Sequence, residues 1–215
     1  MFETVDKNYS YLALGDSYTI GEGVLPEENF PSQTVGLLNK AAVGVNDRPK
    51  RFSAPFIIAK TGWTTDELDN AIDAAAISTT FDIVSLLIGV NNQYRGRSVS
   101  EYKTQFHHLL QRAIHFSGNK ARHVFVLSIP DWGVTPFADG QDRYKVATAI
   151  DAYNTTAKKI CEQHHVVFID ITTSQRIDGN KSEFLATDGL HPSGKEYGKW
   201  AEKLAKAVKN VTPIT

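Results

Sequence analysis

Phe81-Asp82-Ile83-Val84-Ser85-Leu86-Leu87-Ile88, followed by Gly89-Val90-Asn91-Asn92-Gln93-Tyr94, carries the plainest structural signal in the chain. After Asp82 the run is apolar almost without break. That pattern suits a strand buried on both faces, as in a parallel sheet covered by helices. The run stops at a glycine, and polar side chains follow at its tip.

Working outward, four more apolar runs have the same form. Tyr11–Leu14 ends at Gly15-Asp16-Ser17, and Phe52–Ala59 ends at Thr61-Gly62-Trp63. Val124–Ile129 is closed by Pro130, and Val166–Ile171 is followed by a polar loop. Between the runs lie stretches with helical spacing: Phe30–Ala42, Thr64–Ser78, Ser98–Ser117, Gln141–His164 and Ser193–Val208. Thr64 with Glu67, Ser98 with Glu101 and Ser193 with Glu196 have the spacing of capping boxes. The polar segments Gly21–Asn29 and Gly44–Lys50 read as loops. Strand and helix alternate five times. This predicts an α/β protein, a three-layer α/β/α sandwich around a five-stranded parallel sheet, in one domain spanning residues 1–215.

Composition narrows the function classes. The 215 residues have a formal net charge of -1, and no basic cluster lies among aromatics, so nucleic acid is not an expected partner. Cys161 is the only cysteine, which excludes an internal disulfide and a cysteine-rich metal site. No apolar run approaches the ~18 residues of a membrane span. Met1–Lys7 lacks a signal-peptide pattern. A cytoplasmic location is therefore expected, or a periplasmic or secreted one where a leader has been removed.

In open parallel sheets, sites lie at the C-terminal ends of the strands. Three such ends carry glycine plus a polar residue, and they should gather at one edge. Ser17 needs a base to act as a nucleophile. His191, in Asp188-Gly189-Leu190-His191, has a carboxylate three residues upstream that can hold the ring while its other nitrogen faces Ser17. Donors for a developing oxyanion are available from the Ser17 N–H, the Gly62 N–H and the Asn91 side chain.

These residues resemble the SGNH (GDSL) hydrolases. The resemblance rests on Gly15-Asp16-Ser17, Gly62, Gly89-Val90-Asn91 and Asp188-x-x-His191, four blocks in the family's order over nearly the whole chain. It implies a flavodoxin-like sandwich and ester hydrolysis through a serine acyl-enzyme, with no metal and no cofactor. Carried over, Ser17 is nucleophile, His191 base and Asp188 its partner, with Ser17, Gly62 and Asn91 as the oxyanion hole. One position departs from the pattern: Asn92 stands where the family usually has Asp. No Gly-x-Ser-x-Gly elbow occurs, which argues against the ordinary α/β-hydrolase fold.

Tyr18, Trp63, Tyr94, Trp132, Phe137 and Phe184 flank the catalytic blocks and are candidates to line a substrate pocket. The expected partner is a small-molecule ester. Tryptophan and tyrosine near the site suit an acetylated carbohydrate, and the apolar loop around Trp132 and Phe137 suits a lipid or thioester acyl chain. A non-catalytic ligand-binding module on the same fold is the remaining alternative. Gly189–Glu196 nearly matches a P-loop, but Glu196 replaces the magnesium-ligating hydroxyl and Pro192 removes a cradle N–H. His107-His108 and His164-His165 are expected at the surface, Trp200, Leu204 and Val208 in the core, and Cys161 as a packed small hydrophobe.

Overall fold

The computed structural model of the protein describes residues 8–41 and 51–211. The loop expected over residues 44–50 and the end of the helix expected to reach Ala42 lie outside them. The strands are β1 (Asn8–Tyr9), β2 (Tyr11–Gly15), β3 (Arg51–Phe52), β4 (Phe56–Ala59), β5 (Ile83–Leu87), β6 (Val124–Leu127) and β7 (Val167–Ile169). The helices are α1 (Ser17–Ile20), α2 (Phe30–Ala41), α3 (Thr65–Ala74), α4 (Val90–Tyr94), α5 (Val99–Phe116), α6 (Arg143–Gln163), α7 (Thr172–Asp178) and α8 (Gly194–Val211).

Five strands form one parallel sheet in the order β4-β2-β5-β6-β7. Counting only these strands, the order is 2-1-3-4-5, the doubly wound flavodoxin-like arrangement. The chain moves outward from β2 to β4, then back across to β5, β6 and β7. Right-handed crossovers then put α2 on one face and α3, α5 and α6 on the other. Contacts agree: α2 packs on α8, α3 on α5, and α5 on α6.

The central strands are buried along their whole length, as the apolar runs require. Ser85 sits inside β5 because its hydroxyl pairs with the Tyr11 hydroxyl at 2.7 Å; a buried polar group needs such a partner. Trp200, Leu204 and Val208 are fully buried on α8. Cys161 is buried too, and burial pushes its thiol up to about 12.

Several sequence expectations need correction. Phe52–Ala59 is not one strand: β3 pairs separately with β1, and Pro55, which has no N–H to give a ladder, precedes β4. α1, α4 and α7 were not expected, because all three are short and their sequences are largely polar. The Ser193–Glu196 box is incomplete. The Glu196 carboxylate turns inward to accept from Trp200 Nε1 at 3.0 Å instead of reaching back. The adjacent histidine pairs are not simply at the surface. His107 on α5 and His164 beyond α6 are half-buried, and their Nε2 atoms are 2.8 Å apart.

Candidate active site

β2 delivers Ser17 to the C-terminal edge of the sheet. Gly15 ends the strand with no room for a side chain: a Cβ there would lie 2.5 Å from the Leu87 carbonyl and closer still to Thr19. Asp16 then caps α1, its Oδ1 accepting from the Tyr18 N–H at 3.0 Å. Ser17 is thus the first residue of a helix, and its own N–H has no partner within that helix.

His191 arrives from the other end of the chain on a braced loop. Leu185 and Pro192 form an antiparallel bridge, the Ala186 N–H donates to the His191 carbonyl at 2.8 Å, and the Phe137 N–H donates to the Gly189 carbonyl at 3.1 Å. Asp188 uses both oxygens. Oδ1 accepts from the N–H groups of Leu190 and His191, each at 2.9 Å, and Oδ2 lies 2.6 Å from His191 Nδ1. His191 Nε2 is 3.0 Å from Ser17 Oγ. A carboxylate only accepts, so Nδ1 carries the proton and Nε2 is left to accept from the serine hydroxyl. Partial burial works against the Asp188 carboxylate. The hydrogen bonds from the imidazole and the two N–H groups outweigh it and hold the carboxyl below its ordinary range. Ser17 and His191 are 5% and 8% exposed, so their contact is largely shielded from water.

The candidate oxyanion donors sit at the neighbouring strand ends. Gly62 follows β4 at φ +84°, a left-handed conformation that favours glycine. Its carbonyl accepts from Arg95 Nη2 at 2.6 Å, while its N–H donates to no protein acceptor among the described residues. Asn91, on α4 after β5, gives one side-chain N–H to the Trp63 carbonyl at 2.9 Å and keeps the second. Arg95 carried no signal in the sequence, because its role depends on α4 lying beside the turn after β4.

Asn92 does not face the reacting groups. It is fully buried, accepts from the Thr65 N–H at 3.0 Å and donates to Thr65 Oγ1 at 2.7 Å. The Thr65 hydroxyl in turn donates to Gln105. The chain of donors runs one way and starts from an amide N–H that Asp lacks.

A cavity of about 180 Å³ opens over Ser17 and His191. Of the six candidate aromatics, Tyr18, Tyr94, Trp132 and Phe137 line it. Trp63 does not: its half-buried ring packs against the core, and only its backbone carbonyl serves the site. Phe184 does not either. It is buried beneath Lys199, whose Nζ lies 3.5 Å from the ring centroid, and braces the His191 loop through its carbonyl.

The fold and this arrangement define a hydrolase class built on a serine at the edge of a flavodoxin-like sheet. The sequence profile of the GDSL-like lipase/acylhydrolase family matches residues 13–199, and the chain belongs to that family of ester-hydrolysing serine enzymes. No curated protein sequence matches significantly. Among solved structures, the chain is similar to a lipase/acylhydrolase from Enterococcus faecalis, at 19% identity and TM-score 0.68, covering 96% of this chain and 99% of that one. It is also similar to the acetylxylan esterase Axe2 from Geobacillus stearothermophilus, at 18% identity and TM-score 0.69, covering 95% of each chain. The psychrotrophic esterase EstA from Pseudoalteromonas sp. aligns at 16% identity and TM-score 0.69, over 94% of this chain and 98% of its own. At these identities the likeness is one of fold. Among the described residues, no helix is long and apolar enough to cross a membrane.

Proposed function

We propose that the protein hydrolyses esters of short acyl groups through an acyl-enzyme on Ser17. The observation that carries this reading is the line of contacts from Ser17 Oγ to His191 Nε2 to Asp188 Oδ2, at 3.0 and 2.6 Å. Ser17 Oγ attacks the acyl carbon as His191 takes its proton. The carbonyl oxygen, now negative, is received by the N–H groups of Ser17 and Gly62 and the spare Asn91 amide hydrogen. The intermediate collapses, the acyl C–O bond breaks, and His191 returns the proton to the departing alcohol. Water, deprotonated by the same histidine, then releases the acid and frees Ser17. Asp188 keeps the imidazole in the required tautomer and stabilises its cation.

The cavity over Ser17 supports a short acyl group. At about 180 Å³ it is below the roughly 300–1,000 Å³ of sites that enclose a drug-sized ligand. The alternative within the family, a long-chain lipase or thioesterase, needs more apolar depth. An acyl-length series of p-nitrophenyl esters tests this directly. Acetate and butyrate should be the best substrates, and a maximum at decanoate or longer would overturn the short-acyl reading. A non-catalytic module would hydrolyse none of them and would leave a fluorophosphonate probe unreacted.

A further inference from the structure

A second, larger concavity adjoins the site. It lies between residues 96–99, which lead into α5, and the first half of α6, and it encloses about 850 Å³. Tyr94, Trp132 and Phe137 line both cavities, so the two abut at an aromatic partition. The partition is a built feature. Trp132 meets Tyr94 and Phe137 edge-on, at 5.4 and 6.0 Å between ring centroids, and its Nε1 donates to Gln93 Oε1 at 2.8 Å. Yet Tyr94 and Phe137 are 58% and 45% exposed, so much ring surface meets water.

The far end of the concavity has different chemistry. Arg97 lies there, held by Asp66 at 2.5 Å and Glu101 at 3.3 Å. Asp142 is there too, one oxygen accepting from the Lys145 N–H as the cap of α6. Gln141 and Lys145 complete it, and among the described residues neither the Gln141 side-chain amide nor Lys145 Nζ has a protein partner.

Exposed ring faces beside a row of spare donors and acceptors match a ligand with C–H faces and hydroxyls at short intervals, which is a sugar. A long acyl chain is poorly matched. Its methylenes would lie against Arg97, Asp142 and Lys145 and strip water from them without replacing its hydrogen bonds. The volumes divide the substrate in the same way. The larger cavity falls within the range of small-molecule sites and the smaller one below it.

The geometry points to the concavity between α4 and α6 as a leaving-group subsite that holds the carbohydrate part of a sugar ester while its short acyl group enters the cavity over Ser17. This rests on the reading of Ser17 as nucleophile and adds the class of alcohol. The departing oxygen is a sugar hydroxyl, protonated by His191 as the acyl C–O bond breaks, and the products are a free sugar and a short carboxylic acid.

The test compares kcat/KM for an acetylated trisaccharide, ethyl acetate and p-nitrophenyl acetate in the wild type and in the double variant Gln141→Ala/Lys145→Ala. Both substituted positions are exposed, and thermal melts check that the variant folds. The wild type should prefer the trisaccharide acetate over ethyl acetate by about tenfold or more, and the double variant should cut that ratio several-fold. Free trisaccharide should inhibit wild-type p-nitrophenyl acetate hydrolysis competitively and quench tryptophan fluorescence through Trp132. An unchanged ratio in the folded double variant, or equal rates on trisaccharide and ethyl acetate, would overturn the subsite. If no ester is hydrolysed, the nucleophile reading fails instead. Trisaccharide binding by calorimetry, lost or kept in the double variant, then still decides the subsite.

Discussion

Asn92 Nδ2 donates to Thr65 Oγ1 at 2.7 Å, tying the helix after β5 to the first turn of the helix after β4. These two segments carry Asn91 and the turn at Gly62, so the bond holds two of the proposed oxyanion donors in mutual register.

Asn92→Ala should therefore lower stability by about 2–3 kcal/mol, since it orphans buried groups of Thr65. It should also lower kcat more than it raises KM. Asn92→Asp keeps an acceptor for the Thr65 N–H near the N-terminus of α3 and should cost less than Ala. Urea unfolding and steady-state kinetics check both, and wild-type stability in Asn92→Ala would contradict the role.

Ser17→Ala should abolish ester hydrolysis while leaving the fold intact, because among the described residues the hydroxyl's only protein partner is His191. Asn91→Ala should lower kcat by roughly 10²–10³-fold, the usual effect of losing one oxyanion donor. A fluorophosphonate probe should label the wild type and not Ser17→Ala; labelling that survives in Ser17→Ala would point to another nucleophile.

Gly62→Ala separates backbone strain from crowding. The nearest atom to a Cβ there is Arg95 Nη2 at 3.7 Å, so space is available. The left-handed φ should nevertheless cost about 1–2 kcal/mol. If the residue relaxes to avoid that cost, its N–H turns from the site and kcat falls. An alanine variant with unchanged melting temperature and unchanged kcat would sink the assignment.

Asp188, held below the ordinary carboxylate range by its hydrogen bonds, should stay ionised and keep its hold on the imidazole through mildly acidic pH. Asp188→Asn removes that anion and should lower kcat by about 10⁴-fold, and a near-wild-type kcat in this variant would contradict the partner role.

Asp16 gives stability the opposite pH trend. Burial without a partner for Oδ2 pushes its carboxyl up to about 7, against the capping bond from Tyr18. Between about pH 4 and 7 the native state keeps a proton that the unfolded chain has released. This group's effect is absent below that window, grows more unfavourable as pH rises through it, and is complete above it. Asp16→Asn should thus be more stable than wild type by about 1–2 kcal/mol at pH 8 and show little difference at pH 4. Chemical denaturation at the two pH values reads the difference directly.

The sheet was legible because its central strands are buried on both faces, so hydrophobicity alone marks Ile83–Leu87 and the strands beside it. Ser17, Gly62, Asn91, Asp188 and His191 were legible because each sits at a strand end or in a short motif. The short helices were not: the four residues of α1 and the five of α4 are too few for a period to emerge. Nor were Arg95 and the aromatics' true places. Trp63 and Trp132 look alike in sequence, and only the packing of distant segments sets the buried Trp132 in the cavity wall and leaves the half-buried Trp63 outside it. The histidine pairs misled for the same reason, since His107 finds its partner 57 positions away.

Ser17 and His191 stand 174 positions apart, and the histidine loop is braced by the Leu185–Pro192 bridge and by the Phe137 N–H on the Gly189 carbonyl. On the proposed reading, Ser17 is made well before its base and stays an ordinary alcohol until the chain through His191 has folded against it. Esterase turnover is accordingly a reporter of completed folding. A chain stalled or clipped before Asp188 should carry the serine but hydrolyse no ester, and returning activity in a refolding experiment should time the meeting of the Ser17 and His191 segments.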